Sequence, residues 1–236
     1  ISDTPGDARD GDGTVEGVVP VTGPNGEVYV AWAGASGIVI DRSTDGGWSF
    51  GRDVVVAAQP GGWDLPVPGL ERHNGMPVAG VDLSSSATRG TVYVNWIDER
   101  NGDPDVFVAA SRDGGATWSA PVRVNDEAPA SAQMFTWMAV DPVDGSVNVV
   151  FHDRRGQTGT RTGVTLARSV DGGRTFRTFP VAVPPFECCG PGFFGDYSGI
   201  DAYGGRVLAV FPVVADGRQQ VWSAAVRFKP GTLERQ

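Results

Sequence analysis

The chain has 236 residues, 40% of them hydrophobic, enough to bury a core and to exclude intrinsic disorder. Its 34 Gly and 17 Pro interrupt regular structure too often for a helical bundle. A net charge of −9 opposes a phosphate backbone and no basic stripe stands against that field, which excludes nucleic acid as a partner.

In chain order, VYVAW ending at Trp32 reads as a strand, Ile38 to Ile40 as the next, and Val54 to Val56 as a third, with STDGGWSF from Ser43 between the last two. The order repeats. VYVNW ends at Trp96, Val106 to Ala110 follows, and SRDGGATW from Ser111 leads to Val122–Val124. VNVVF ends at Phe151, Val164 to Ala167 follows, and SVDGGRTF from Ser169 leads to Phe179–Val183. A fourth unit has VLAVF to Phe211 and an apolar stretch from Val221 to Phe228, and stops before another DGG. Each unit also opens with a strand that ends in an apolar residue and Asp, at Asp82, Asp141 and Asp201, with Thr22 in that place in the first unit. Four strands in about 60 residues is the spacing of a propeller blade, so four blades are expected over roughly 15–58, 74–125, 133–183 and 194–229.

The motif SxDGGx(S/T)(F/W) suits a tight turn: its Asp accepts hydrogen bonds from the following N–H groups, the Gly pair permits positive φ, and the last aromatic plugs between sheets. It resembles the Asp-box (BNR) repeat of the sialidase superfamily, and the resemblance covers essentially the whole chain. The resemblance implies an all-β propeller, in a family whose rings have six or more blades. Either residues 1–14 add a closing strand to a small ring, or the remaining blades lie on another chain. The second is expected, because an open array would expose strand edges and apolar faces. The resemblance also implies that Asp45, Asp113 and Asp171 are structural, because their turns lie at the end of the ring opposite the ligand. The protein is then a secreted propeller directed at a glycan or another polyhydroxylated ligand, either as a glycoside hydrolase of sialidase type or as a non-catalytic binding scaffold. No apolar run approaches the ~20 residues of a membrane span.

At the expected ligand end, DERNGDPD (Asp98 to Asp105) and DRRGQTGTR (Asp153 to Arg161) align Asp98 with Asp153 and Arg100 with Arg155. Arg100, Arg154 and Arg155 suit a fork for a substrate carboxylate; the alternative is a set of Asp–Arg ties between blades. Asp98, Asp103 and Asp105 supply hard oxygens that would suit Ca²⁺, although they fit no fixed calcium template. No cofactor is required by any motif, and neither His73 nor His152 has metal-ligand spacing. Trp63, in the long crossing from Ala57 to Gly75, is placed to stack on a sugar or to pack against its own loop.

The richest loop runs from Pro184 to Ala202. Cys188 and Cys189 are adjacent and are expected to be joined in an exported protein; the alternative is a pair of reduced, buried thiols. Tyr197-Ser198-Gly199-Ile200 is similar to the context of the sialidase nucleophile, which implies Tyr197 as nucleophile with Glu187 or Asp196 as its base, since a phenol needs a proton acceptor at neutral pH. The Arg-Ile-Pro or Arg-Leu-Pro motif of the sialidase arginine triad is absent from the sequence. Ring packing at the axis is the other reading of Tyr197.

Overall fold

The computed structural model describes residues 1–126, 131–181, 184–188 and 194–236. Strands β1 (Glu16–Thr22), β2 (Val28–Gly34), β3 (Gly37–Ser43) and β4 (Val54–Ala57) form one antiparallel sheet in chain order. The second sheet contains β5 (Val78–Val81), β6 (Val92–Asp98), β7 (Asp105–Ser111) and β8 (Val122–Arg123). The third contains β9 (Gln133–Val140), β10 (Val147–Asp153), β11 (Arg161–Ser169) and β12 (Arg177–Pro180), with the short β13 (Phe186–Glu187) added to β11. The fourth has three strands, β14 (Gly199–Tyr203), β15 (Arg206–Ala215) and β16 (Arg218–Arg227). The described residues contain no helix, and none therefore is long and apolar enough to cross a membrane.

The first strand of each sheet lies against the first strand of the next: β1 against β5, β5 against β9, β9 against β14. Alternation then decides what fills the spaces between sheets. Ile38 and Ile40 meet Trp96 and Phe107; Tyr93 and Val108 meet Val149 and Phe151; Val164 and Leu166 meet Phe211 and Phe228. Each of these side chains is almost wholly buried, and at roughly 1.5–3 kcal/mol per large apolar side chain these layers dominate cohesion.

The three DGG turns are built alike. Asp45, Asp113 and Asp171 each accept the hydroxyl of the residue four further on (Ser49, 2.6 Å; Thr117, 2.5 Å; Thr175, 2.7 Å) and that residue's N–H. Ser43, Ser111 and Ser169 donate to the same carboxylates and accept the N–H of Gly47, Gly115 and Gly173. Both glycines of each turn have positive φ, between 72° and 90°, which a side chain would strain. The donated bonds, the hydroxyl's first, hold the Asp45 and Asp113 carboxyls down to about 2 and place Asp171 below its usual range against the opposing effect of burial.

A second set of aspartates joins neighbouring sheets at the same end. Asp141, closing β9, accepts the N–H groups of Gly204 and Gly205 from the fourth sheet at 2.9 and 2.8 Å. Asp82 accepts Ser84 N–H and the Ser86 and Thr88 hydroxyls of its own turn, and the third sheet comes close to it, since a Cβ on Gly145 would stand 2.6 Å from its carboxylate. Asp201, expected at the same place, instead pairs with Leu208 inside β14, two residues before the strand ends, and is exposed on the outward side.

Residues 1–14, weighed above as a closing strand, contain no strand and do not complete the fourth sheet. They run along the first sheet and over its upper loops. Asp3 and Asp53 exchange amide-to-carboxylate hydrogen bonds at 2.9 Å in both directions, and Asp12 accepts the N–H groups of Trp63 and Asp64. Consequently the two end sheets differ. Val30, Trp32 and Val39 on the outward side of the first sheet are buried with Val15 and Phe50 against them, whereas Tyr203, Leu208 and Val221 on the outward side of the fourth are exposed.

Candidate functional site

The β6–β7 loop, the β10–β11 loop and the crossings between sheets meet at one end of the molecule, away from the DGG turns. Arg100 reaches Ala58 O at 3.0 Å, Ser131 N donates to Asp103 at 2.8 Å, and Asn74 Nδ2 donates to Asp196 O at 2.8 Å. Here the starts of the four inner strands surround a mouth of about 260 Å³. Tyr197 stands at its rim, 67% exposed, with its ring 5.9 Å from that of Trp137. Arg72, Asn74 and Asp196 supply the polar lining, and Met76, Pro77 and Val18 the apolar part. Arg72 lies 3.4 Å from Asp196 and 3.8 Å from Asp10, so it bridges the N-terminal segment to the loop that carries Tyr197.

Of the carboxylates expected beside Tyr197, only Asp196 lines this mouth. Glu187 lies on β13, which pairs with β11 two strands outward from β9; it accepts the Thr160 hydroxyl at 2.8 Å and faces Arg161 at 3.8 Å. The three-arginine fork is not assembled either. Arg100 grips Asp98 with Nε at 2.8 and 3.1 Å and lies over the Phe107 ring, while Arg155 pairs with Asp153 at 3.0 Å and with Asp126 at 2.6 Å. A guanidinium two residues from an Asp at a strand end folds back onto it, and both pairs then tie loop to strand. Trp63 is buried, with its indole N–H donated to Gly11 O at 3.1 Å, so its ring packs under the N-terminal segment.

Each carboxylate weighed for Ca²⁺ has a protein donor. Asp98 accepts Arg100 and the Trp96 indole N–H, Asp103 accepts Ser131 N–H, and Asp105 accepts Asn101 and Asn125 and is ion-paired with Arg123. Among the described residues no cluster of three or more His, Cys, Asp or Glu is arranged to hold a metal. Cys188 is buried and disulfide-bonded, and Cys189 lies outside the described residues.

Behind the mouth is a group that sequence reasoning did not assemble. Phe135 in β9 has φ 53° at a bulge where the register with β10 shifts between Val150 and His152. Its ring meets His73 at 5.3 Å, His152 at 5.6 Å and Phe194 at 5.6 Å. Burial holds both imidazoles neutral, His73 down to about 3 and His152 to about 4. His152 Nε2 meets Pro212 O at 2.9 Å, and the His73 ring is set against the Leu65 backbone. Arg154 is buried close enough to oppose protonation of His73, and its Nε and Nη2 have no partner. Burial also lowers the affinity of Arg154 for its proton. Only a bulge inside β9 could have revealed this cluster, and alternation of apolar residues carries no signal of one.

No family model and no curated protein sequence matches the chain. Solved structures do match. A protein of unknown function from Dyadobacter fermentans is 17% identical with a TM-score of 0.55 over 92% of this chain and 61% of its own. The Hadza microbial sialidase Hz136 is 15% identical, TM-score 0.57, over 89% and 44%. An ulvan lyase of a polysaccharide lyase family is 11% identical, TM-score 0.54, over 95% and 55%. The chain therefore spans about half the length of these proteins. At such identities the likeness shows the fold: antiparallel sheets in the propeller-type arrangement of sialidases, glycoside hydrolases and polysaccharide lyases.

Proposed function

We propose that the protein is a secreted, sialidase-like Asp-box propeller directed at glycans, with the saccharide seated at the mouth between the inner strands. The observation that carries this reading is the convergence there of an exposed Tyr197, the Trp137 ring and the polar set Arg72, Asn74 and Asp196. Aromatic faces and fixed donors and acceptors are what a pyranose with its hydroxyls requires. As a glycosidase, the Tyr197 hydroxyl would attack the anomeric carbon while Asp196 takes its proton, and the glycosidic C–O bond would break with the departing oxygen protonated from solvent; water would then add to the anomeric carbon, and its proton would restore the Tyr197 hydroxyl as the sugar leaves.

A second reading, a binding propeller without turnover, is favoured by one specific finding: Arg100 and Arg155 are engaged by Asp98 and Asp153, and Glu187 stands outside the mouth. Hydrolysis of a fluorogenic sialoside and a panel of neutral glycosides by wild type and Tyr197→Phe separates the two. Turnover that falls by orders of magnitude in the variant, with saccharide binding kept, supports the tyrosyl mechanism. Saccharide binding with no turnover selects the binding propeller. Neither binding nor turnover defeats the glycan reading.

The ring is further proposed to be completed by blades on another chain. The exposed side of the fourth sheet, with Tyr203, Leu208 and Val221, supports this. The Cys188–Cys189 link belongs to the same proposal of an exported protein. Alkylation and peptide mass spectrometry before and after reduction test it; two freely alkylated thiols in the folded protein would refute it.

A further inference from the structure

Residues 229–236 follow the third strand of their sheet, where the other sheets have a DGG turn, and fold into a hook of a different kind. Lys229 N–H donates to Glu234 O at 3.0 Å, Gln236 N–H donates to Arg227 O at 2.9 Å, and Phe228 bridges to Arg235. The hook is pinned to the third sheet. Arg168 Nε donates to Thr232 O at 3.0 Å, and Gly231 N–H donates to Asp144 at 2.7 Å. So held, the hook places the Arg235 guanidinium over the Phe179 ring of β12, 4.7 Å from its centre. Arg177, two residues before Phe179 and therefore on the same side of the strand, lies over that ring as well, at 5.4 Å.

Two positive charges thus share one aromatic ring, and both side chains are exposed. Burial first, and then the charge of Arg177, loosens the hold of Arg235 on its proton, so the two guanidiniums act on each other. What the pair lacks is an acid. The other guanidiniums that lie over rings each have one: Arg42 faces Glu27 at 3.7 Å, Arg100 pairs with Asp98, and Arg168, over Phe228, pairs with Asp144 at 2.8 Å. Among the described residues no carboxylate pairs with Arg177 or Arg235, although acidic residues outnumber basic ones 28 to 19 in the chain. Arg168 stands directly opposite Arg177 across the strand pair, and Asp144 answers only the first of them. With their faces on the Phe179 ring, the two guanidiniums offer N–H donors to solvent with no acceptor of their own. A planar carboxylate is matched by a single fork; a tetrahedral group with more than one negative charge and several oxygens can accept from two.

We propose that Arg177 and Arg235 form a binding site for a sulfate or phosphate group, where β12 meets the 229–236 hook, and that this site works independently of the mouth near Tyr197. The group arrives as the free ion or as an ester on a glycan. Its oxygens accept from both guanidiniums and supply the negative charge that the pair lacks.

Titration calorimetry at low, constant ionic strength tests the proposal, with wild type, Arg177→Gln, Arg235→Gln and Tyr197→Ala each titrated with sodium sulfate, sodium phosphate, a sulfated oligosaccharide and its desulfated counterpart. An anionic probe should bind wild type and Tyr197→Ala alike and lose roughly tenfold or more in affinity in each arginine variant. Binding of the inorganic ions alone assigns the free ion. Tighter binding of the sulfated than of the desulfated saccharide, with the difference lost in both arginine variants, assigns the ester. Both variants change exposed side chains and should keep Tm; if Arg235→Gln loosens the hook and lowers it, Arg177→Gln decides. No binding of any anionic probe to wild type, or binding unchanged in a stable arginine variant, overturns the site. Equal binding of the two saccharides that disappears in Tyr197→Ala, with no inorganic ion bound, belongs to the mouth and overturns the site while the mouth stands.

Discussion

At the scale of single residues, the DGG aspartates and the buried histidines respond to acid in different windows. Each imidazole is neutral in the fold but takes a proton near pH 6.5 once unfolded, so the unfolded chain binds more protons below that pH. Stability from this source is intact above about pH 6.5 and falls as the pH drops toward 4, by up to ~1.4 kcal/mol per pH unit for each histidine. His73→Leu, which removes the buried imidazole, should flatten the slope of Tm against pH between 6.5 and 4; an unchanged slope would show that His73 is not the group responsible. The lowered carboxyls of Asp45 and Asp113 act later: their contribution is whole above about pH 4 and is lost between 4 and 2. Asp171→Ala should lower Tm by a few degrees, on the order of 1 kcal/mol, and leave saccharide binding unchanged; a binding defect at normal stability would make this turn part of a site. These aspartates were legible in the sequence because three copies of a short motif report a local structure. Arg100 and Arg155 were legible only as one of two alternatives, because a residue's type does not say which partner reaches it first.

At the scale of elements, the strands follow from alternation and the turns from Gly and Asp, and most expected strands stand where the pattern put them. The additions have physical reasons that periodicity omits. β13 is two residues long and owes its place to pairing with β11, too short a run to print an alternation. The bulge in β9 puts Phe135 in left-handed backbone and turns its ring toward His73 and His152. Phe135→Ala should cost about 3–5 kcal/mol, as removal of a buried aromatic does. It should also loosen the loop bearing Tyr197 through Phe194, read as faster amide exchange at 194–199. Loss of stability with exchange unchanged there would separate the bulge from the mouth.

At the scale of the molecule, the two end sheets make a directional pair: one outward side is closed by Val15 and Phe50, and the other shows Leu208, Val221 and Tyr203 to solvent. If further blades cover the second, Leu208→Lys with Val221→Lys should abolish association with a co-purifying chain, seen by sedimentation velocity, without lowering Tm. Association that survives both charges, or a wild type that associates with nothing, would count against such blades. The sequence disclosed the number of units in this chain but not the asymmetry of its ends, which rests on contacts of Asp3, Asp12 and Trp63 between segments some fifty residues apart. Within each sheet, by contrast, every main pairing joins consecutive strands. During synthesis, therefore, a sheet has all its partners as soon as its last strand leaves the ribosome, and each later sheet can add to a finished surface, so the apolar layers can assemble in the order in which they are translated.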